Sequence, residues 1–221
     1  MNNKMKCFVI NLDRRPDRLK QFTDSFNDIF EITRESAIDN KDIEMMMNTI
    51  PEFKTRINEW NFKYIPHKVN NIVACCLSHI NVWKKISKMN DSKPVFVFED
   101  DCAFINNDVK THFRKYFDNL VLPNDFGIIW FNGNIQDKPN TNTNPDSSFI
   151  LKEYTGNNTA ESYLISPSFA KELIAAIEND LGAVDEHMKL YTMKTKNKSF
   201  RLFPPFFCQF NRNDTDIQIS R

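Results

Sequence analysis

Short apolar segments of strand-like composition alternate along this chain with longer segments in which apolar residues recur at helical spacing. The strand-like segments are residues 6–11, 30–33, 94–98, 126–131, 149–154 and 161–165. The helical segments are one that opens near Pro16, residues 70–89, residues 108–120, one that opens at Ser166-Pro167, and residues 184–191. This order is typical of an α/β fold, so the sequence predicts a central, mainly parallel sheet flanked by helices.

The length of the chain, 221 residues, suits one domain with its own core, and we expect residues 1–221 to form a single domain. Residues 132–148 contain the run NTNTNPDSS, whose asparagine, proline and serine content is typical of a loop. We expect a mobile loop there, which either closes over a site or is a plain surface insertion.

Composition excludes several classes of partner. Lys plus Arg and Asp plus Glu both number 29, so the chain lacks the charged field with which proteins bind nucleic acids or membrane surfaces. No apolar run approaches the ~20 residues of a membrane-spanning helix, and the apolar stretch at residues 7–10 is too short for a signal peptide. The five cysteines lack metal-binding spacing, and their odd number fits reduced thiols. We therefore expect a cytoplasmic protein with no transmembrane segment and no nucleic-acid partner.

The segment PVFVFEDDCAF joins a strand buried on both faces to three consecutive carboxylates, Glu99, Asp100 and Asp101. Like charges this close repel one another, so a cation or a solvated edge must offset them. Because alternate side chains of a strand share a face, we expect Glu99 and Asp101 on one side and Asp100 on the other. The pair could bind a hard divalent ion such as Mg²⁺ or Mn²⁺, and a polar turn after the strand is the alternative.

Seven segments occur in the order of the motifs of glycosyltransferase family 25, which includes lipooligosaccharide and collagen hydroxylysine galactosyltransferases. They are VINLDRRPDR, ESAID, CCLSHINVW, VFEDD, ESYLIS with FAKELI, AVDEHM and PPFFCQFNRNDTDIQ. Together they cover nearly the whole chain, which therefore resembles this family. The resemblance implies a GT-A-type (Rossmann-like) fold, a nucleotide-sugar donor that is usually UDP-galactose or UDP-glucose, and inversion at the anomeric carbon.

The sequence departs from the family pattern at two places. The family commonly has glycines ahead of its CxLSH segment, where this chain has Asn71 and Ala74, so the backbone there is less free around the nucleotide. The glycine of the family's AxDG is Asn40 here. Asparagine is the best non-glycine residue for the left-handed conformation, so this second change is conservative.

The resemblance places the nucleotide over the end of the first strand, with the backbone of Asn11 and Leu12 near the base. Arg14, Arg15 and Arg18 offer guanidinium groups suited to phosphate or ribose, of which we keep Arg14 and Arg18 as donor-binding candidates. The alternative for these arginines is a solvated helix start.

Three further donor contacts are implied by the resemblance alone. Asp39 matches the acidic residue that contacts uridine, with a plain turn residue as the alternative. Ser78 and His79 match the family's LSH segment, although a lone helical histidine is more often structural.

The resemblance favours the metal interpretation of the acidic triplet. A Mn²⁺ (or Mg²⁺) ion held by Glu99 and Asp101 would bridge the diphosphate oxygens, and Asp100 would assist either the metal or the donor. Asp216, in the run NDTD near the end of the sequence, could complete the metal shell or touch the acceptor.

The general base must be a carboxylate or histidine poised across the acceptor from the leaving group. Asp185 and Glu186, in the family's AVDEHM position, are the catalytic candidates, with a slight preference for Asp185. Salt bridges on a helix surface are the alternative explanation of both.

These expectations describe a metal-dependent inverting glycosyltransferase that moves a hexose, galactose or glucose, from a UDP-sugar to a hydroxyl of a glycan or of a hydroxylysine-type protein site. A catalytically silent relative that binds sugar or a partner protein is the alternative. A nucleotidyl or phosphoryl transferase is disfavoured, because the sequence has no glycine-rich phosphate loop.

Overall fold

The computed structural model describes residues 4–43, 66–132, 149–154, 159–177, 181–195 and 198–209. Its strands are β1 Met5–Asn11, β2 Phe30–Ser36, β3 Val95–Glu99, β4 Cys102–Phe104, β5 Ile128–Trp130, β6 Ile150–Glu153, β7 Ser162–Ile165, β8 Ser199–Phe203 and β9 Phe207–Gln209. Its helices are α1 Pro16–Phe26, α2 Pro66–Ile86, α3 Asn107–Asp118, α4 Pro167–Ile177 and α5 Val184–Lys194. The predicted mobile loop lies outside the described residues from residue 133 onward.

The central sheet has seven strands in the order β2-β1-β3-β7-β5-β8-β6. Strand β1 pairs in parallel with β2 and β3, and β5 pairs in parallel with β8. Strand β7 is antiparallel to β3 and β5, and β6 is antiparallel to β8. Five of the seven strands therefore run in one direction, which confirms the predicted α/β architecture with a largely parallel sheet flanked by helices.

The candidate site lies beyond the carboxyl ends of strands β1 and β3. Residues 95–98 are fully buried, as their β-branched and aromatic composition predicts for a central strand. Ile10 lies opposite Glu99 in the parallel register, so both strands leave the sheet at the same level. The segments that follow Asn11 and Glu99 consequently meet beyond the carboxyl ends of the strands, where α/β proteins bind their ligands.

The sheet separates two cores of different composition. Helices α2, α4 and α5 cover one face with mainly aliphatic residues around Trp83. The other face is dominated by phenylalanine, and the ring of Phe26 stacks on those of Phe22 and Phe104 at 4.3 and 4.6 Å between centroids. Each buried ring of this kind contributes about 1.5–3 kcal/mol, so truncating Phe26 would open a cavity at the centre of the aromatic core.

A second, two-stranded sheet forms from β4 and β9, which the sequence patterns do not predict because each strand has only three residues. In its antiparallel register Cys102 lies opposite Gln209. This pairing brings the end of the described chain beside the acidic triplet.

Strand β8 of the central sheet is also absent from the predicted strands, and further differences concern the ends of elements. Helix α2 begins at Pro66 and ends at Ile86, whereas the sequence predicts residues 70–89, and β2 continues to Ser36. None of the helices in the described ranges is both long and apolar enough to cross a membrane.

Candidate active site

A cleft opens beyond the carboxyl ends of β1 and β3 and is flanked by α2. The predicted donor-binding residues that line it are Leu12, Arg14, Arg18, Ser78 and His79. All three members of the acidic triplet, Glu99, Asp100 and Asp101, line it as well. The structure thus brings together residues that are far apart in the sequence.

The triplet does not follow the strand alternation expected from the sequence. Strand β3 ends at Glu99, and Asp100 and Asp101 form a turn before β4 begins. Glu99 lies against α2, Asp100 contacts α1, and Asp101 contacts Gln209 in β9. Because the backbone turns at Asp100, that side chain borders the same cleft as its neighbours instead of pointing away from them.

Asp100 is neutralised within the protein. Arg18 Nη1 donates to Asp100 Oδ1 at 2.9 Å, and Asn11 Nδ2 donates to Asp100 Oδ2 at 2.8 Å. Asn11 is itself buried and oriented by Arg34 Nε, which donates to Asn11 Oδ1 at 3.0 Å. Burial raises the pKa of Asp100, and the contacts with Asn11 and Arg18 oppose that shift. The side chain of Asn11, whose backbone is the predicted donor contact, is therefore occupied in positioning Asp100.

Among the described residues, Glu99 has only neutral partners at contact distance. His79 Nε2 lies 3.1 Å from Glu99 Oε1, and the Cys75 thiol donates to the same oxygen over 3.8 Å. Burial lowers the pKa of His79 to about 3, so its ring is uncharged at neutral pH. Burial raises the pKa of Glu99 to about 7, with repulsion from Asp100 and Asp185 adding to the shift.

Asp101 and Glu161 are buried carboxylates with unsatisfied oxygens. Gln209 Nε2 donates to Asp101 Oδ2 at 2.7 Å, but Asp101 Oδ1 and Glu161 Oε1 have no hydrogen-bond partner in the described part of the chain. Burial raises the pKa of Asp101 to about 6 and that of Glu161 to about 8, and repulsion from Glu99 contributes to both. Within the described ranges, no Lys or Arg pairs with either carboxylate at salt-bridge distance.

Behind Glu99, His79 belongs to a buried chain of hydrogen bonds. Trp83 Nε1 donates to the Tyr163 hydroxyl at 2.8 Å, and that hydroxyl lies 2.8 Å from His79 Nδ1. The three side chains are fully buried. His79 therefore holds Glu99 in place from the core side, and the buried Trp83 anchors this chain of hydrogen bonds.

The remaining donor candidates are Arg14 and Ser78, which line the cleft, and Asp39, which is not among the lining residues but contacts Arg14. Arg14 Nε donates to Asp39 Oδ2 at 2.8 Å. Burial raises the pKa of Asp39 and the bond to Arg14 lowers it, and the net result is a lowered pKa. Ser78 Oγ accepts from the Ile38 N–H at 2.9 Å and donates to the Ala74 carbonyl at 2.7 Å. Ser78 thus fastens the segment after β2 to α2 and shapes the cleft wall.

The catalytic candidates lie in the first turn of α5. Asp185 Oδ1 accepts the N–H of Glu186 at 2.9 Å, and burial raises the pKa of Asp185. The charge of Asp185 in turn raises the pKa of Glu99, so the two carboxylates lie within electrostatic range. Asp216 lies outside the described residues.

Four residues near the triplet were not among the predicted site residues: Cys75, Glu161, Arg34 and Gln209. Cys75 stands one turn before His79 on α2, and Glu161 precedes β7 within the segment ESYLIS. Their acidic or thiol chemistry was visible in the sequence. Their proximity to Glu99 was not, because it depends on contacts between separate elements.

Acids and arginines around a cleft beyond parallel strand ends define an α/β protein suited to a phosphorylated ligand and a cation. Residues 4–188 match the sequence profile described as glycosyltransferase family 25 (LPS biosynthesis protein). The chain belongs to this family, which confirms the resemblance seen in its motifs.

Two curated relatives are each called "Glycosyltransferase 25 family member". The protein of Drosophila melanogaster is 25% identical over 210 residues, which are 88% of this chain and 32% of the relative. The protein of Drosophila pseudoobscura pseudoobscura is 26% identical over 107 residues, 44% of this chain and 16% of the relative. The matched parts are therefore about a third or less of the length of these relatives.

Proposed function

We propose that this chain transfers a hexose, galactose or glucose, from a UDP-sugar to a hydroxyl of a glycan or of a hydroxylysine-type protein site, with inversion at the anomeric carbon. The observation that carries the proposal is a group of three carboxylates at or near the cleft, the half-buried Glu99 and the buried Asp101 and Glu161. No described Lys or Arg offsets their charges at salt-bridge distance. A divalent cation is the simplest group that would stabilise them in ionised form.

The residues present fit such an ion. Asp101 Oδ1 is buried without a hydrogen-bond partner in the described ranges, and carboxylate oxygens are the ligands that Mn²⁺ and Mg²⁺ prefer. Glu99 and Asp101 would hold the ion, with Asp100 and Asp216 as further candidates. When bound, the ion supplies positive charge to the diphosphate leaving group.

The arginines of the cleft would divide the work of donor binding. Arg14 is exposed and its bond to Asp39 lies at the surface, so we expect a phosphate or ribose oxygen to replace Asp39 as its partner. Arg18 is buried against Asp100 and would act mainly by keeping that carboxylate in position. The backbone at Leu12 borders the cleft where the uracil base would lie.

Asp185 is the preferred base. In a direct displacement the acceptor oxygen attacks the anomeric carbon, the bond to the diphosphate breaks, and the acceptor proton passes to the carboxylate. A pKa raised by burial brings Asp185 closer to working pH, which improves a general base. Glu186, the next residue, is the alternative.

UDP release tests the proposal. The protein would be incubated with Mn²⁺ and UDP-galactose or UDP-glucose, because many transferases slowly hydrolyse their donor, and a donor panel would then identify the sugar. We expect release with one of the two donors and none after chelation of the metal. Absence of release with both donors, together with absence of Mn²⁺-dependent UDP binding, would overturn the proposal.

A silent relative remains the second candidate because of one feature of the cleft. Asn71 and Ala74, where the family commonly has glycines, both line it, and Ala74 is buried. Their side chains occupy space beside the expected nucleotide. Mn²⁺-dependent UDP binding without release from any donor, with or without acceptors, would favour this candidate.

A further inference from the structure

Three side chains of different chemistry converge at the wall of the cleft formed by α2 and β3. Cys75 and His79 are separated by one helical turn, and Glu99 ends the neighbouring strand. One ligand atom of each, Cys75 Sγ, His79 Nε2 and Glu99 Oε1, lies within 4.8 Å of the other two. The Nε2–Oε1 distance is 3.1 Å and the Sγ–Oε1 distance is 3.8 Å.

These distances are close to those of a tetrahedral zinc site. With Zn–N and Zn–O bonds of about 2.0 Å and a Zn–S bond of about 2.3 Å, tetrahedral angles separate N from O by about 3.3 Å and S from O by about 3.5 Å. The two separations that involve Glu99 differ from these values by a few tenths of an ångström. Side-chain rotations that bring Cys75 Sγ and His79 Nε2, which lie within 4.8 Å of each other, to about 3.5 Å would complete the geometry.

We infer that Cys75, His79 and Glu99 form a binding site for a thiophilic divalent cation, with Zn²⁺ as the best match. A thiolate and an imidazole select Zn²⁺ or Co²⁺ over the oxygen-preferring Mn²⁺ and Mg²⁺. All three residues line the cleft, so the fourth coordination position would face it and accept water or a ligand oxygen.

The protons balance in a simple way. The Cys75 thiol loses its proton to solvent as the sulfur–metal bond forms, which makes binding favourable at higher pH. His79 stays neutral and offers the Nε2 lone pair while its single proton resides on Nδ1. That N–H donates to the Tyr163 oxygen, which also accepts from Trp83 Nε1, so the ring has the outer partner typical of metal-bound histidines.

Sharing of Glu99 has a consequence for activity. A carboxylate that binds Zn²⁺ beside Cys75 is withdrawn from the Mn²⁺ or Mg²⁺ ion expected between Glu99 and Asp101. Zn²⁺ would therefore inhibit the transferase. This consequence rests on the proposed function, whereas the binding of Zn²⁺ does not.

Cobalt absorption tests the site directly. Co²⁺ would be titrated into the reduced full chain, and a thiolate-to-cobalt charge-transfer band in the near ultraviolet would report the Cys75–metal bond. We expect one equivalent to bind and Zn²⁺ to displace it. Cys75→Ser should remove the band, while Cys208→Ser, which changes a half-buried thiol outside the group, should retain it.

Circular dichroism and thermal melting of both variants would establish that they fold. If Cys75→Ser does not fold, His79→Gln with Cys75 intact should weaken Co²⁺ binding at least about tenfold, because even outer-shell changes cost 10–100-fold in metal affinity. A missing band in the folded wild-type protein, or an undiminished band in Cys75→Ser or in His79→Gln, would overturn the site.

The two proposals can fail separately. In the UDP-release assay with Mn²⁺, Zn²⁺ should inhibit the wild-type enzyme at a concentration at least about tenfold below that required for Cys75→Ser. A cobalt band without any UDP release would count against the transferase alone. UDP release without a cobalt band would count against the zinc site alone.

Discussion

Asp100 and Asp101 are adjacent in one turn, yet the protein treats their charges differently. Asp100 receives hydrogen bonds from Arg18 and Asn11 at 2.9 and 2.8 Å. Asp101 receives one from the neutral Gln209, and its second oxygen is buried without a partner in the described ranges. A charged carboxylate buried in this way is costly unless a positive group joins it. Protein groups thus neutralise Asp100, whereas Asp101 has no positively charged partner at contact distance among the described residues and is suited to bind a cation.

Glu99 and Glu161 belong with Asp101 in this respect. All three have pKa values raised by burial, to about 7, 8 and 6 respectively, and they repel one another. His79 contacts Glu99 but is neutral. Arg18 lowers the pKa of Glu99 and Asp101 from a longer distance, which leaves most of the burial shift in place.

The largest expected effect concerns Asp185, whose charge raises the pKa of Glu99. Asp185→Asn should lower the rate of hexose transfer by about 10²–10⁴-fold, because it removes the proposed general base, while Mn²⁺-dependent UDP affinity is retained. Steady-state transfer rates and calorimetric UDP titrations would measure the two quantities. Glu186→Gln is the matched control, and an undiminished rate in Asp185→Asn with a loss in Glu186→Gln would transfer the role to Glu186.

Asp101→Asn should weaken Mn²⁺-dependent UDP binding at least about 100-fold, because it removes a proposed metal ligand and outer-shell changes alone cost 10–100-fold. The same variant should melt no lower than wild type without metal, since it removes a buried charge. Calorimetry and thermal melting would measure both. Asp125→Asn, at an exposed position, is the control, and unchanged UDP affinity in Asp101→Asn would remove this residue from the metal site.

Asp100→Asn should instead destabilise the fold by about 2 kcal/mol. Removing one partner of a buried ion pair typically costs about 3–5 kcal/mol. The nearby charges of Glu99 and Asp101 would reduce the cost of leaving the buried Arg18 guanidinium without Asp100. Urea denaturation would measure the free energy of unfolding. A double-mutant cycle with Arg18→Gln should show coupling between the two residues, and additive effects would contradict the internal pairing.

Glu161→Gln should change the pH dependence of stability. The folded-state pKa of Glu161 is raised from 4.5 to about 8, so the folded protein holds this proton more tightly and stability falls as pH rises across that interval. Without metal, the free energies of unfolding of wild type and variant should be similar near pH 5. Near pH 9 the variant should be more stable than wild type by at least about 1 kcal/mol. Thermal melts across pH would show the difference, and Glu153→Gln, at an exposed strand position, should follow wild type.

The sequence predicts the elements of this fold better than it predicts contacts between them. Strands β1 and β3 and helix α2 carry strong apolar patterns, and all are present. The acidic triplet is recognisable in the sequence as three consecutive carboxylates after an apolar strand. Yet the Asn11–Asp100 bond joins residues 89 positions apart, and the Gln209–Asp101 bond joins residues 108 apart. Which carboxylate is satisfied by protein groups depends on such bonds and on the three-residue strands β4 and β9, whose patterns are too short to recognise.

Calorimetric titration of Mn²⁺ into the wild-type protein in the presence of UDP tests the central claim most directly. If Glu99 and Asp101 bind a cation that also binds the diphosphate, one ion should bind per chain, and it should bind more tightly with UDP than without it. Its affinity should rise between about pH 5 and pH 8, as carboxylates with pKa values of about 7 and 6 ionise. An absence of Mn²⁺ binding across this pH range, or binding indifferent to UDP, would contradict the account.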